Sequence, residues 1–260
     1  MNSNTVGWWG LAASLIFVVV AIALTSSFRL GLSRTISIAT GRSLVQLLVV
    51  GSALTLVIDP DTSLAWSWAW VAGIIVFAAY TVTRRVPQVP NLLPVTLASN
   101  VAVAVVGLAI VFGFGVFDLD SRSLVPVSGM IIGNSMKSGV VAAMRVVEAS
   151  AEQRAEIEAG LALGMSTRQA SARFVRSALR TAISPQIEQT AGLGIVFLPG
   201  AMTGLLLAGA DPLDAVRAQL ALMYVILSGT VVGSIVTGLG TVSRLTTPAE
   251  TLRVTHRASR

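Results

Sequence analysis

Apolar residues gather along this chain into seven runs, at about residues 7–27, 43–58, 65–82, 93–117, 124–147, 191–208 and 216–239. Each run is long enough to cross ~30 Å of hydrocarbon, the second and third only just. Only closed backbone hydrogen bonding survives in lipid, so runs of this length predict membrane helices. The reading is an all-α, polytopic integral membrane protein with seven transmembrane helices in a single membrane domain, residues 1–260.

One polar interruption differs from the rest. Residues 148–185 read EASAEQRAEIEAGLALGMSTRQASARFVRSALRTAISP, rich in Ala, Glu, Gln, Arg and Leu, all strong helix formers. Gly164 stops a first helix, Ser166 and Gln169 form an S-x-x-Q capping box that starts a second, and Pro185 ends it. A helical hairpin standing in water between the fifth and sixth spans is expected, placed to touch a partner.

Composition strengthens the membrane reading. Of 260 residues 54% are hydrophobic, mean hydropathy is +0.80 and only 12% are charged; a soluble domain carries about 25% charged residues. The net charge of +6 is dispersed over short loops rather than gathered in one patch, which fits the positive-inside rule and not nucleic-acid binding. The absence of Cys removes disulfides, thiolate metal sites and thiol nucleophiles, and the single His, His256, lies in the C-terminal tail.

Loop charge orients the spans. Arg29, Arg34, Arg84, Arg85, the hairpin arginines and the tail residues Arg244, Arg253, Arg257 and Arg260 fall on one side. Asp59, Asp61, Asp118, Asp120, Asp211 and Asp214 fall on the other, with only Arg122 and Arg217 as basic company. The N-terminus is therefore expected outside, with the hairpin and C-terminus in the cytoplasm. The Ala21-Ile22-Ala23 triplet resembles a cleavage site, but basic residues follow the first run instead of preceding it, the order of an uncleaved anchor. Trp66, Trp68 and Trp70 open the third run as an interfacial belt. No internal repeat is visible, which weighs against inverted-repeat carriers.

Candidate chemistry lies in the fifth and sixth runs. Met130, Asn134, Ser135 and Met136 place thioether and polar groups deep in the fifth, beside Lys137, the only lysine, which either snorkels to the cytoplasmic boundary or serves a cavity. In the sixth, Pro199 should kink the helix and free carbonyls beside Gly200 and Gly204, with Glu188, Met202 and Thr203 nearby. Gln46 in the second run joins this substrate-pathway set; Asn100 and Gln219 read as helix–helix glue. Three GxxxG pairs, Gly129/Gly133, Gly200/Gly204 and Gly229/Gly233, suit either packing within one bundle or a dimer face. No Walker A precedes Lys137, no HExxH occurs and no nucleophile–base pair is present, which excludes P-loop ATP binding and the zinc and Ser-His hydrolases.

Two features then point to a family. Glu158-Ala159-Gly160 followed by Gly164 resembles the E-A-A-x-x-x-G loop of ABC-transporter permeases, and the runs 128–136, 162–170 and 198–215 are similar to the FetB/YbbM-like permeases, with similarity over nearly the whole chain. That family is associated with bacterial iron export and is related to plant membrane proteins that affect aluminium tolerance. The resemblance implies a permease subunit of the inner or plasma membrane that is not itself an enzyme. It implies a separate ABC ATPase binding ATP and Mg, two copies of each subunit, and a metal-ion substrate. It also implies that the hairpin docks on the ATPase through Ile157, Glu158, Ala159, Gly160, Leu161, Gly164, Met165 and Ser166. Ile157, Leu161 and Met165 share one helical stripe suited to an apolar groove. Arg173, Arg176 and Arg180 share a face of the second helix suited to anionic headgroups. Metal-ligating residues are not evident. The open alternatives are a permease of another substrate or direction, and a stand-alone channel or ion-coupled carrier.

Overall fold

The computed structural model describes residues 7–57, 63–194 and 198–246. The Asp59–Asp61 turn, Phe197 and the tail from 247 onward, with Arg253, His256, Arg257 and Arg260, lie outside the described residues. Within them the chain is all-helical, without a β-strand, in the order α1 (Trp8–Ser27), α2 (Ser33–Val57), α3 (Leu64–Arg85), α4 (Leu93–Gly113), α5 (Ser121–Glu152), α6 (Arg154–Ala162), α7 (Thr167–Ala191), α8 (Gly200–Leu207) and α9 (Pro212–Leu245). Five of these are long and apolar enough to cross a membrane: α1, α2, α3, α4 and α9.

The chain forms two compact units, residues 1–62 and 63–260. The first is a helical hairpin. Arg29 and Gly31 turn the chain at φ 50° and 70°, and Thr25 and Ser33 meet across the turn at 3.3 Å between their hydroxyls. No described residue of this hairpin is buried within it. α1 is apolar on every side, and such a helix is covered by lipid or protein and not by water.

The second unit is a bundle of α3, α4, α5, α7 and α9. Two of its helices start at acidic caps. Asp120 accepts from the Ser123 N–H at 2.8 Å to begin α5, and Asp211 accepts from the Leu213 N–H at 2.9 Å with Pro212 at the first position of α9. The largest core cluster joins Val71, Val103, Leu108, Val111, Ile131, Ile132, Leu222 and Ile226. A second cluster near the other end joins Val86, Val89, Leu92, Ala143, Val146, Ala178 and Leu245. The basic residues Arg84, Arg85 and Arg244 fall at the end holding this second cluster, while Asp118, Asp120, Asp211 and Asp214 fall at the opposite helix ends.

Several sequence expectations change here. α5 and α9, at 32 and 34 residues, outrun their apolar stretches, because the helix continues past the lipid wherever helix formers continue. α2 begins ten residues before its apolar run, at Ser33 instead of about residue 43. Pro185 does not end the second hairpin helix; α7 passes through it to Ala191, since tertiary packing of Ala178, Ala182 and Gln186 holds the segment on both sides. Nor does the sixth run form one kinked span. α7 closes at Gly192, Gly194 turns at φ 84°, and α8 is only eight residues long, about 12 Å. Pro199 stands at the N-cap of α8 and so starts a helix where a kink was expected.

Candidate functional site

The segment between α5 and α7 is built by local signals. α5 breaks for a single residue at Gln153, and the nine-residue α6 follows at once. Gly164 has φ 83°; its N–H donates to the Leu161 carbonyl and the Met165 N–H to the Gly160 carbonyl, both at 3.0 Å, closing α6 with a Schellman motif. Ser166 then caps α7. Its hydroxyl accepts from the Gln169 N–H at 3.4 Å while the Gln169 side chain accepts from the Ser166 N–H at 3.0 Å, the reciprocal capping box. Gly164 and Ser166 therefore act as the sequence indicated.

The orientation of α6 does not follow the expected stripe. Ile157 is 1% exposed and Gly160 is buried, both turned inward. A Cβ at Gly160 would lie 3.2 Å from that of Ala170 and 3.4 Å from the sulfur of Met165, so Gly160 is where α6 closes onto α7, not a shallow outer side. These two residues cannot touch a partner without opening the elbow. The outward face carries Glu158, Ala159, Leu163, Gly164 and Met165, with Leu161 and Ser166 half-buried. Leu163, 81% exposed, was missed by the stripe argument; a large apolar residue directly before a cap glycine was the available signal. Glu158 pairs with Arg154 at 2.6 Å on the exposed surface.

The elbow is mechanically tied to the bundle. α5 and α7 pack along each other through Ala143, Val146 and Ala178, and both pack on α9. Small residues permit the close approach. A Cβ at Gly238 of α9 would meet Leu179 of α7 at 2.8 Å and Val146 of α5 at 3.9 Å.

Along α5, Met130, Asn134 and Lys137 lie on one stripe, the first two half-exposed and Lys137 exposed, with no ion pair to Lys137 among the described residues. The Asn134 amide donates to its own helix at the Met130 carbonyl, 2.8 Å away. Ser135 faces the opposite way, buried against Gly233 of α9, and Met136 packs on the large core cluster. Of the second group, Pro199 is buried, Met202 is half-buried with its N–H donating to Gln219 of α9 at 3.2 Å, and Thr203 and Glu188 are exposed. Gln46 is exposed on α2 in the other unit. The structure thus brings Met130 and Met136 to one core and Met202 to Gln219.

The GxxxG pairs separate by use. At Gly229 a Cβ would meet Val103 and Ile131 at 3.2 and 3.3 Å, and at Gly233 it would collide with Ser135; at Gly129, Gly133, Gly200 and Gly204 nothing lies within 4 Å. A polar layer crosses the same α4–α5–α9 contact: Ser99 and Thr237 are hydrogen-bonded there, and the hydroxyls of Thr230 and Ser234 are buried without a partner. Among the described residues no three His, Cys, Asp or Glu side chains group closely enough to hold a metal ion.

This architecture is that of a multi-pass helical membrane protein in which a capped elbow joins two long, mutually packed helices. The chain belongs to the family described as UPF0014, an uncharacterised protein family, which matches residues 8–246. It is 35% identical over 230 residues to the UPF0014 membrane protein STAR2 of Oryza sativa subsp. japonica, covering 88% of this chain and 80% of that one. It is 32% identical over 243 residues to the UPF0014 membrane protein YjkA of Bacillus subtilis, covering 94% and 97%. It is 29% identical over 239 residues to the "Probable iron export permease protein FetB" of Escherichia coli, covering 91% of each. No solved structure matches the chain.

Proposed function

We propose that this chain is the membrane permease subunit of an ABC transporter that exports iron or another metal ion, driven by ATP hydrolysed in a separate subunit. The observation that carries the reading is the α6 elbow. It is short, presents Leu163 and Met165 outward, closes onto α7 at Gly160, and joins α5 and α7, which pack on each other. A partner that grips Leu163 and Met165 would move α5 and α7 together, because their shared apolar contacts resist independent displacement. The likeness to the E. coli permease over 91% of both chains supports the same reading.

In this scheme the elbow and the basic helix ends face the cytoplasm, in keeping with the charge asymmetry. The chain carries no ATP site; the ATPase supplies ATP and Mg. Two permeases and two ATPases make the complex, and the open glycines 129, 133, 200 and 204 offer close approach for a second copy. The metal substrate would meet thioether, amide and hydroxyl groups such as Met130, Asn134 and Thr203, a weak set. Weak ligation suits passage, because a tightly held ion does not leave.

Reconstituting the chain with a candidate ABC ATPase partner, and measuring ATP hydrolysis with and without ferrous iron, tests the proposal. Stimulation by metal and copurification of the two proteins are expected, and cells lacking the chain should retain more iron under iron load. Lower iron uptake in such cells would indicate an importer. Metal flux through the chain alone, without ATPase, would indicate a channel or carrier.

A further inference from the structure

A cleft of about 1260 Å³ runs between α7 and α9, closed at one end by the loop at Pro90 and Asn91. Its chemistry is divided along its length. Toward that loop lie Arg168 and Arg176 of α7 and Arg244 of α9, while Arg180 stands further along α7, beside Leu179. None of the four is in an ion pair among the described residues; the pairs at this end use Arg145, Arg154 and Arg173 instead. Away from the loop the walls are mainly aliphatic, with Leu179, Ile183 and Ile187 on α7 and Ile235 and Leu239 on α9, interrupted by Ser184. Ile235 and Leu239 are 38% and 45% exposed, apolar surface that the bundle itself leaves open.

α5 and α9 run parallel, with Ile131 at Gly229, Ser135 at Gly233 and Gly139 at Thr237, and α7 folds back along α5 after the elbow, so α7 and α9 run antiparallel with Leu179 at Gly238. Counting along α9 from Gly238, Arg244 stands about 9 Å toward the basic end and Ile235 about 4.5 Å toward the apolar one. The cleft therefore has a cationic head and an apolar stem, aligned with the helix axes of a membrane protein.

We propose that this cleft binds an anionic glycerophospholipid, its phosphate held by Arg176, Arg180 and Arg244 and an acyl chain laid along Leu179, Ile183 and Leu239. Guanidinium groups pair with phosphate oxygens through matched, often bidentate geometry. A free anion would satisfy the arginines and leave the aliphatic stem bare. A zwitterionic lipid would bring an ammonium group into a site that already holds four cations. An anionic lipid meets both requirements and is present in the leaflet that basic helix ends face. The inference is independent of the transported substrate.

The test uses the full chain in detergent, titrated with phosphatidylglycerol or phosphatidylcholine and read by native mass spectrometry. Phosphatidylglycerol should bind about tenfold more tightly. The preference should vanish in the double variant Arg176→Gln/Arg180→Gln, return only in part in Arg176→Lys/Arg180→Lys, and persist in Arg122→Gln at the opposite end. Ile183→Gln should weaken both lipids and leave their ratio unchanged. Equal affinity for the two lipids in the unaltered chain would overturn the proposal. So would a preference that survives the glutamine pair, as would displacement of phosphatidylglycerol by millimolar inorganic phosphate, which would make the cleft an anion site. Failure of phosphatidylglycerol to bind the unaltered chain would overturn it as well.

Discussion

Thr237 of α9 donates a hydrogen bond to Ser99 of α4 at 3.1 Å, and Ser99 in turn donates to the backbone carbonyl of Gly233 at 3.1 Å. The relay joins two membrane helices at a level where Gly233 lets Ser135 of α5 approach the same point. Interhelical hydrogen bonds in membranes contribute ~0.6 kcal/mol on average and ~1.7 at most. Ser99→Ala should lower unfolding stability in mild detergent by about 0.5–1.5 kcal/mol, and adding Thr237→Val should cost little more, because the bond is already gone. Fully additive losses would show that the two hydroxyls act independently.

The elbow makes a pair of opposite predictions. Gly160→Leu forces a side chain into Ala170 and Met165 and should loosen α6 from α7 by about 1–3 kcal/mol, seen as faster proteolysis around residues 163–166. Leu163→Asp changes a residue that is 81% exposed and should leave proteolysis and thermal stability unchanged. It should nevertheless reduce copurification of the proposed ATPase partner about tenfold or more, as loss of an interface anchor does. Undiminished copurification by Leu163→Asp would remove the elbow from the contact.

Gly164 tests the closure of the same helix. At φ 83° an added Cβ costs ~1–2 kcal/mol, although nothing lies within 4 Å to clash with it. Gly164→Ala should therefore act through the backbone alone. Hydrogen exchange at the Met165 amide, which is bonded to the Gly160 carbonyl, should quicken by roughly tenfold.

Orientation is checked with single cysteines, which can be introduced without removing any native one. Asp118→Cys at the acidic end should react with an impermeant maleimide in intact cells, and Leu163→Cys should react only after lysis. The reverse pattern would invert the bundle.

Lys137 is exposed on the stripe of α5 that also carries Met130 and Asn134. If a metal cation passes along that stripe, Lys137→Gln removes a repulsion of ~1 kcal/mol and should raise metal-stimulated ATP hydrolysis about fivefold. Melting temperature should not change. Equal stimulation in both proteins would place the pathway elsewhere.

The sequence alone determined the class of the protein and the punctuation of its helices. Apolar run length demands helices in a bilayer, and that requirement is local, so α1, α3 and α4 appear close to where the runs placed them. Gly164, Ser166 and Gln169 were equally legible because caps are decided by residues three or four apart. Family membership, too, was carried by residues in linear order, from the 128–136 run to the 198–215 run. What the tertiary structure decided was facing and continuation. Ile157 and Leu161 share a stripe, yet Ile157 turns inward because Ala170 and Gly160 permit α7 to come close on that side. Pro185 breaks a helix in isolation, yet α7 continues through it because Ala182 and Gln186 are held in the bundle on either side. Pro199 was expected to kink the sixth run, and it stands instead at the N-cap of α8. The arginines at 176, 180 and 244 are 64 or more residues apart across the two helices, and only the antiparallel packing of α7 on α9 brings them to one cleft. Periodicity reports that a residue has a face; which neighbour covers that face is a property of packing between distant segments, and no local pattern encodes it.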